Sequence, residues 1–138
     1  MKYLAQFLYQ SYLNTHSKIL AKCYFFARKI LLRLANPVIV LKFRGFKLAM
    51  PFSHMIFASL KAYPSYDMQL YGIAKHIYKQ YGRLDMVDIG ANIGDTVCFT
   101  QIQDATYLMV EGEPSYARLI AKNLAYNFKG DISIGGGA

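Results

Sequence analysis

The segment LDMVDIGANIGDTVCFTQIQDATYLMVEGEP, from Leu84 to Pro114, places a glycine-containing turn and a helical stretch between two short apolar runs. The apolar runs, Leu84 to Ile89 and Tyr107 to Val110, are rich in β-forming residues and predict two strands. Between them, Gly90 to Gly94 predicts a turn, and Asp95 to Gln103 predicts a short helix. Two strands joined through a helix form a parallel βαβ unit. The segment therefore predicts an α/β fold.

Acidic side chains stand at the ends of both predicted strands. Asp88 lies at the end of the first strand, and Glu111 directly follows the second. Parallel sheets bind ligands beyond the carboxyl ends of their strands, and glycines let the backbone approach a ligand closely. An acidic residue at the second strand end can accept both hydroxyls of a ribose. These residues predict a site for an adenosine-containing cofactor, either a dinucleotide or S-adenosylmethionine.

The spacing of the glycines separates these two cofactors. The dinucleotide fingerprint is G-x-G-x-x-G. Counted from Gly90, its second and third glycines would fall on Asn92 and Asp95, so the fingerprint is not met. The carboxylate of Asp88 would also repel a pyrophosphate, whereas it suits the cationic amino group of a methionine moiety. The balance favours S-adenosylmethionine.

The same residues resemble the FkbM-type methyltransferases. The resemblance lies in VDIGANIGDT (Val87 to Thr96), VEGEP (Val110 to Pro114) and the following helix with Asn123 and Asn127. It covers roughly Val38 to Asn127, because the lead-in from residue 51 to 82 is also similar. The matching lead-in residues are His54, Pro64, Tyr66, Asp67 and Leu70.

The resemblance implies a role for particular residues. It implies that the cofactor-binding residues are Asp88, Gly90, Asn92, Gly94 and Glu111. Glu111 would bind the ribose. Glu113 competes for that role, but Glu111 stands three residues before Pro114, as in the family's E-x-x-P pattern.

The resemblance also implies a Rossmann-like class I methyltransferase fold with a seven-stranded sheet. Asp131 to Ile134 would begin the third strand, so the chain corresponds to an amino-terminal fragment that is inactive by itself. The implied function is S-adenosylmethionine-dependent methylation, with a hydroxyl of a glycan or a related small molecule as acceptor. No catalytic residue can be assigned from this part of the family pattern.

Charge is distributed unevenly along the chain. Residues 1–66 contain ten Lys and Arg and no Asp or Glu, whereas residues 67–138 contain six basic and eight acidic side chains. Such asymmetry predicts an anionic partner for the amino-terminal part. One alternative is RNA, which would make the protein an RNA methyltransferase, although no RNA-binding motif is visible. The other alternative is an anionic membrane surface, with the protein cytoplasmic and peripheral at the inner membrane.

The helical pattern from Met1 to Ala35, divided near Asn14 or Thr15, bears on the membrane alternative. Its second half has an apolar stripe with a separate basic side. The stripe is Ile19, Cys23, Phe26, Ile30 and Leu34, and the basic side is Lys18, Lys22, Lys29 and Arg33. Such a helix either lies on a membrane or packs its stripe on the domain.

The sequence as a whole predicts three regions: a basic amphipathic helical region at 1–36, a lead-in at 37–82, and the cofactor-binding part at 83–138. Within the lead-in we expect a hairpin from 38 to 50 that turns at Arg44-Gly45, a connector from 51 to 66, and a helix from 67 to 81 that ends at Gly82. The expected apolar faces are Leu70, Ile73, Ala74, Ile77 and Tyr78 in that helix, and Ala117, Ile120, Ala121 and Leu124 in the helix from Pro114 to about Asn127. Cys23 and Cys98 are expected to be buried thiols, and no metal site is predicted.

Overall fold

The structure, a computed structural model, describes residues 1–66, 68–100, 102, 104–128 and 134–135. Six helices and two small sheets within these residues give the mixed α/β architecture that the sequence predicts. The chain divides into two compact units, Met1–Pro64 and Ser65–Ala138. The predicted lead-in is thus shared between them, with its hairpin in the first unit and its long helix in the second.

Two helices open the first unit, and they are separated where the sequence predicts. Helix α1 (Lys2–Asn14) buries Ala5, Tyr9 and Leu13, which recur every four residues and therefore share one face. Helix α2 (Lys18–Leu32) begins after Ser17, whose side chain accepts a hydrogen bond from the backbone N–H of Leu20. Serine is a favoured residue at this position because it satisfies a helix N–H that has no partner within the helix.

The predicted hairpin is formed by β1 (Val38–Phe43) and β2 (Phe46–Pro51), which pair in antiparallel fashion. Arg44 and Gly45 make a two-residue turn, with φ of 51° and 89°. Positive φ at both positions suits the twist of a two-residue hairpin. The side-chain amide of Gln10 exchanges hydrogen bonds with the backbone of Lys42, at 2.9 and 3.1 Å, and so joins α1 to β1.

The predicted connector from 51 to 66 is wrong in part, because it contains helix α3 (Ile56–Ala62). Seven residues are too few for a clear periodic pattern, and a helix this short depends on tertiary packing. Ile56, Phe57 and Leu60 are buried and supply that packing. The helix is also joined to α1, since the Lys61 ammonium donates to the carbonyl oxygens of Tyr12, Leu13 and Thr15 at 2.8, 2.9 and 2.6 Å.

The second unit contains helix α4 (Met68–Tyr81) and a three-stranded sheet. Its strands are β3 (Asp85–Ile89), β4 (Thr106–Val110) and β5 (Ile134–Gly135), in the order β3-β4-β5, and both neighbouring pairs are parallel. Helix α5 (Asp95–Thr100) joins β3 to β4, and helix α6 (Pro114–Asn127) follows β4. Of the predicted third strand, residues 131–133 lie outside the described residues, as does Asp67.

Helix α4 confirms most of its predicted face but not all of it. Ala74 is buried against Leu84 and Ile102, whereas Ile73 is exposed. The core that α4 meets is small, so only part of the apolar stripe is covered. Gly82, at φ +69°, ends the helix as predicted, and its N–H donates to the carbonyl oxygen of Tyr78.

The two faces of the β3-β4 sheet differ in burial. Tyr107 and Met109 are buried on one face. On the other face the exposed residues are Val87, Ile89, Leu108 and Val110. Strands of parallel sheets are normally covered on both faces. This sheet is therefore apolar on a side that the described residues leave open.

The two cysteines differ from the expectation that both are buried. Cys98 is buried in α5, where burial raises the pKa of its thiol to about 12. Cys23 is exposed on α2. The side of α2 that packs against the rest of the first unit is not the side that carries its apolar stripe.

Candidate functional site

The loop after β3 adopts the left-handed backbone conformation at every second residue. Gly90, Asn92 and Gly94 have φ of +78°, +53° and +76°. Glycine adopts this conformation readily, and asparagine tolerates it better than most residues. The sequence Gly-Ala-Asn-Ile-Gly therefore provides a suitable residue at each position where the loop needs one.

The loop is held against the carboxyl end of β4. The N–H groups of Gly90 and Ala91 donate to the carbonyl oxygen of Val110 at 2.8 and 3.0 Å. The N–H of Asn92 donates to Oε2 of Glu111 at 2.7 Å. The second oxygen, Oε1, accepts from the N–H of Glu113 at 2.7 Å. Glu111 is thus fixed in position, yet each carboxylate oxygen has a further lone pair with which to accept from a ligand.

Asp88 lies one residue from the end of β3 and is half-buried. Its Oδ2 is buried and has no hydrogen-bond partner among the described residues. Burial raises the pKa of the Asp88 carboxyl; a hydrogen bond with Thr96 opposes this shift, and the nearby charge of Glu111 adds to it. A buried acceptor without a donor costs free energy. A cationic donor at Oδ2 would relieve that cost.

The two predicted acidic residues, Asp88 and Glu111, lie close together at the carboxyl ends of β3 and β4. Asp88 lies opposite Met109 in the sheet register, and Glu111 lies two residues after Met109, directly beyond the end of β4. Their charges are close enough for Glu111 to raise the pKa of Asp88. A negative potential at the strand ends attracts a cation and repels a pyrophosphate.

Glu113, the competing candidate for the ribose, has a different place in the structure. It is exposed and caps α6, and its Oε1 accepts a hydrogen bond from the N–H of Ser115 at 3.0 Å. That hydrogen bond lowers the pKa of the Glu113 carboxyl. Glu113 thus has a structural role that Glu111 does not share.

Helix α6 packs against the loop that follows β3. A Cβ on Gly94 would lie 3.3 Å from Cγ2 of Ile120, so a side chain there would crowd Ile120 in addition to being strained by the positive φ. Asn123 is fully buried, and its side-chain amide donates to the carbonyl oxygen of Ile93 at 2.8 Å. The backbone carbonyl of Asn123 accepts from the side-chain amide of Asn127 at 2.7 Å.

The sequence pattern does not predict that Asn123 positions the loop after β3. The predicted apolar face of α6 was only partly right, since Ala121 is exposed. The buried residues are Leu119, Ile120, Asn123 and Leu124. An asparagine on a buried face cannot be recognised from an apolar pattern, although Asn123 was among the residues of the family resemblance.

Other kinds of site find little support in the part of the chain that the structure describes. That part holds no group of three or more His, Cys, Asp or Glu side chains able to bind a metal ion. Nor does any helix within it have the length and apolar character needed to cross a membrane. Comparisons with protein-family models, with curated proteins and with solved structures found no match. The resemblance to FkbM-type methyltransferases thus stays a prediction.

Proposed function

We propose that the protein is an S-adenosylmethionine-dependent methyltransferase whose cofactor lies against the Gly90–Gly94 loop. The observation on which this rests is the buried Oδ2 of Asp88, which has no partner among the described residues and lies next to a loop held by Glu111. The ammonium group of a methionyl moiety would supply the missing donor. Its positive charge would also be stabilised by the two carboxylates.

The adenosine part of the cofactor suits the remaining residues. The carboxylate of Glu111 is oriented by two N–H groups and can still accept from ribose hydroxyls. A Cβ built on Gly90 would meet nothing within 4 Å, so the loop has open space in front of it. The parallel order β3-β4-β5 supports the proposal, because it brings these strand ends to one edge, where such sheets bind ligands.

When bound, S-adenosylmethionine supplies an electrophilic methyl group. The proposed role of Asp88, Glu111 and the loop is to bind and orient it. Transfer to an oxygen also needs a base that takes the proton of the acceptor, and we assign none among the described residues. The proposed acceptor, a hydroxyl of a glycan or related small molecule, is what the family resemblance implies.

The first test is a calorimetric titration of the complete protein with S-adenosylmethionine and with NAD, for the wild type, Glu111→Ala and Glu113→Ala. We expect S-adenosylmethionine to bind and NAD not to bind. Glu111→Ala should weaken binding about tenfold or more, because it removes hydrogen bonds to a charged acceptor. Glu113→Ala should leave the affinity near that of the wild type and should lower the urea midpoint, because it removes the side-chain cap of α6.

Glu111→Gln keeps one acceptor oxygen, which can serve the N–H of Asn92 or that of Glu113 but not both, so it should weaken binding less than Glu111→Ala. Binding of NAD alone would contradict the proposal. An equal loss of affinity in Glu111→Ala and Glu113→Ala would contradict the assignment of the ribose to Glu111.

A further inference from the structure

Helix α2 turns a charged residue inward and apolar residues outward. Arg28 is only 3% exposed, whereas Ile19, Phe26 and Leu34 just beyond the helix end are 75%, 65% and 73% exposed. Exposed Cys23 and Ile30 belong to the same stripe. An amphipathic helix that served only to cover a core would have the opposite arrangement.

The contacts of Arg28 fix this orientation. Its Nη2 donates to the carbonyl oxygen of Phe52 at 2.7 Å. Its guanidinium also lies 4.7 Å from the ring centre of Tyr9 and 5.3 Å from that of Phe52. Burial lowers the pKa of Arg28 and raises that of Tyr9 to about 12. Rotating α2 to bury its apolar stripe would break these contacts, so the stripe stays available to a partner.

Basic side chains run along one side of the stripe. They are Lys18, Lys22, Lys29 and Arg33, and all four are exposed. At 3.6 residues per turn this row lies next to the stripe rather than opposite it. Residues 1–66 contain no Asp or Glu that could neutralise the row.

An apolar groove adjoins the basic row. It lies between α2 and α3, has a volume of about 650 Å³, and is lined mainly by aromatic and aliphatic side chains. Lys22 and Lys29 are the charged residues of its lining. Phe26 belongs both to the groove and to the exposed stripe. Stripe, basic row and groove therefore form one continuous surface, called here the α2 surface.

We propose that the α2 surface docks on the face of a bilayer that contains anionic lipids. The apolar stripe enters the interface, and the basic row contacts the lipid phosphates. A second copy of the chain fits poorly, because each copy would bring the same uncompensated positive charge to the contact. RNA would satisfy the lysines but gives no reason for exposed aliphatic residues such as Ile19 and Ile30. This inference is independent of the proposed enzymatic function.

The exposed cysteine provides a direct test. Cys23 lies in the stripe and is exposed, whereas the Cys98 thiol is buried and has a raised pKa, so a thiol-reactive, polarity-sensitive fluorophore should label Cys23 selectively. Vesicles of equal parts phosphatidylglycerol and phosphatidylcholine should shift its emission to the blue, and added salt should reverse the shift. Vesicles of phosphatidylcholine alone should have little effect. The label on a Cys23→Ser/Lys79→Cys protein, at an exposed position of α4, should not respond.

Paired variants of the unlabelled protein separate the two parts of the α2 surface. In vesicle sedimentation, Lys22→Gln/Lys29→Gln and Ile19→Ser/Phe26→Ser should each reduce binding by roughly tenfold. Their matched controls, Lys75→Gln/Lys79→Gln and Ile73→Ser, replace exposed residues on α4 and should bind like the wild type. All the substituted side chains are exposed, so the fold should be retained, and circular dichroism checks this.

Three outcomes would overturn the inference. The first is equal recovery in the supernatant with and without anionic vesicles. The second is a dimer in sedimentation velocity that Ile19→Ser/Phe26→Ser converts to a monomer, which would assign the stripe to self-association. The third is tight binding of an RNA oligonucleotide that displaces the vesicles and is unaffected by Ile19→Ser/Phe26→Ser.

Discussion

Asp88 has an environment that is unfavourable for the protein without a ligand. Its Oδ2 is buried without a described partner, and the neighbouring Glu111 carboxylate raises its pKa. Residues at binding sites often have such environments, because the ligand supplies what the protein omits. Glu111 is the opposite case, since two backbone N–H groups already hold it. One carboxylate is therefore held by backbone N–H groups through both oxygens, whereas Oδ2 of the other has no hydrogen-bond partner among the described residues.

Asp88→Asn should stabilise the protein without cofactor at neutral pH. Because the pKa of Asp88 is raised in the folded state, ionising this residue costs folding free energy once the pH exceeds the ordinary range of an aspartate. The neutral asparagine avoids that cost. We expect Asp88→Asn to have a higher urea midpoint than the wild type at pH 7, with the difference closing as the pH falls below that range. A lower midpoint for Asp88→Asn at pH 7 would mean that the contacts of the carboxylate, including the hydrogen bond with Thr96, outweigh the cost of its burial, and would contradict this account.

At the level of single residues, the sequence predicts the strand-end acids and the glycines but not their supports. Asp88, Gly90, Gly94 and Glu111 lie where an α/β pattern places them. Asn123 could not be found in this way, because its role depends on the distance between α6 and the loop. Arg28 could not be found either, since its partners are far away in sequence.

Among the elements, the loop between β3 and α5 depends most strongly on residue type. Gly90 and Gly94 both have positive φ, but only Gly94 is also packed closely, against Ile120. The two glycines therefore meet different requirements. Gly94 lets the loop pack closely against α6, whereas a side chain at Gly90 would contact nothing within 4 Å.

Replacing each glycine by alanine should separate these requirements. Gly90→Ala should cost about 1–2 kcal/mol in the free energy of unfolding, because alanine is strained at positive φ. Gly94→Ala should cost about 1–3 kcal/mol more, because its Cβ would also crowd Ile120. Gly112→Ala, at a site with neither feature, should change stability by less than about 0.5 kcal/mol. Denaturant unfolding measures all three, and equal costs for Gly90→Ala and Gly94→Ala would contradict the packing argument.

The predicted elements were most accurate where local signals are strong. The hairpin turn, the helix-ending glycine and the βαβ segment each have a residue type that the backbone requires. Helix α3 was missed because its seven residues are too few for a pattern. The apolar stripe of α2 was recognised, but its exposure depends on the buried contacts of Arg28, which the pattern does not contain.

At the scale of the whole molecule, the two units differ in charge and in proposed role. Met1–Pro64 has ten basic and no acidic residues, whereas Ser65–Ala138 has six basic and eight acidic residues. The proposed cofactor site belongs to the second unit, and the α2 surface belongs to the first. The two proposals can therefore fail separately, since variants of one unit leave the residues of the other unchanged.

In the proposed site, Asp88 binds the amino-acid part of an S-adenosylmethionine-type cofactor. Calorimetric titration of the complete protein with S-adenosylhomocysteine and with 5′-methylthioadenosine tests it directly, because only the first ligand has an ammonium group. For Asp88→Asn, we predict about tenfold weaker binding of S-adenosylhomocysteine, and 5′-methylthioadenosine binding within about twofold of the wild type. An equal loss for both ligands, or wild-type protein that binds neither, would contradict the claim.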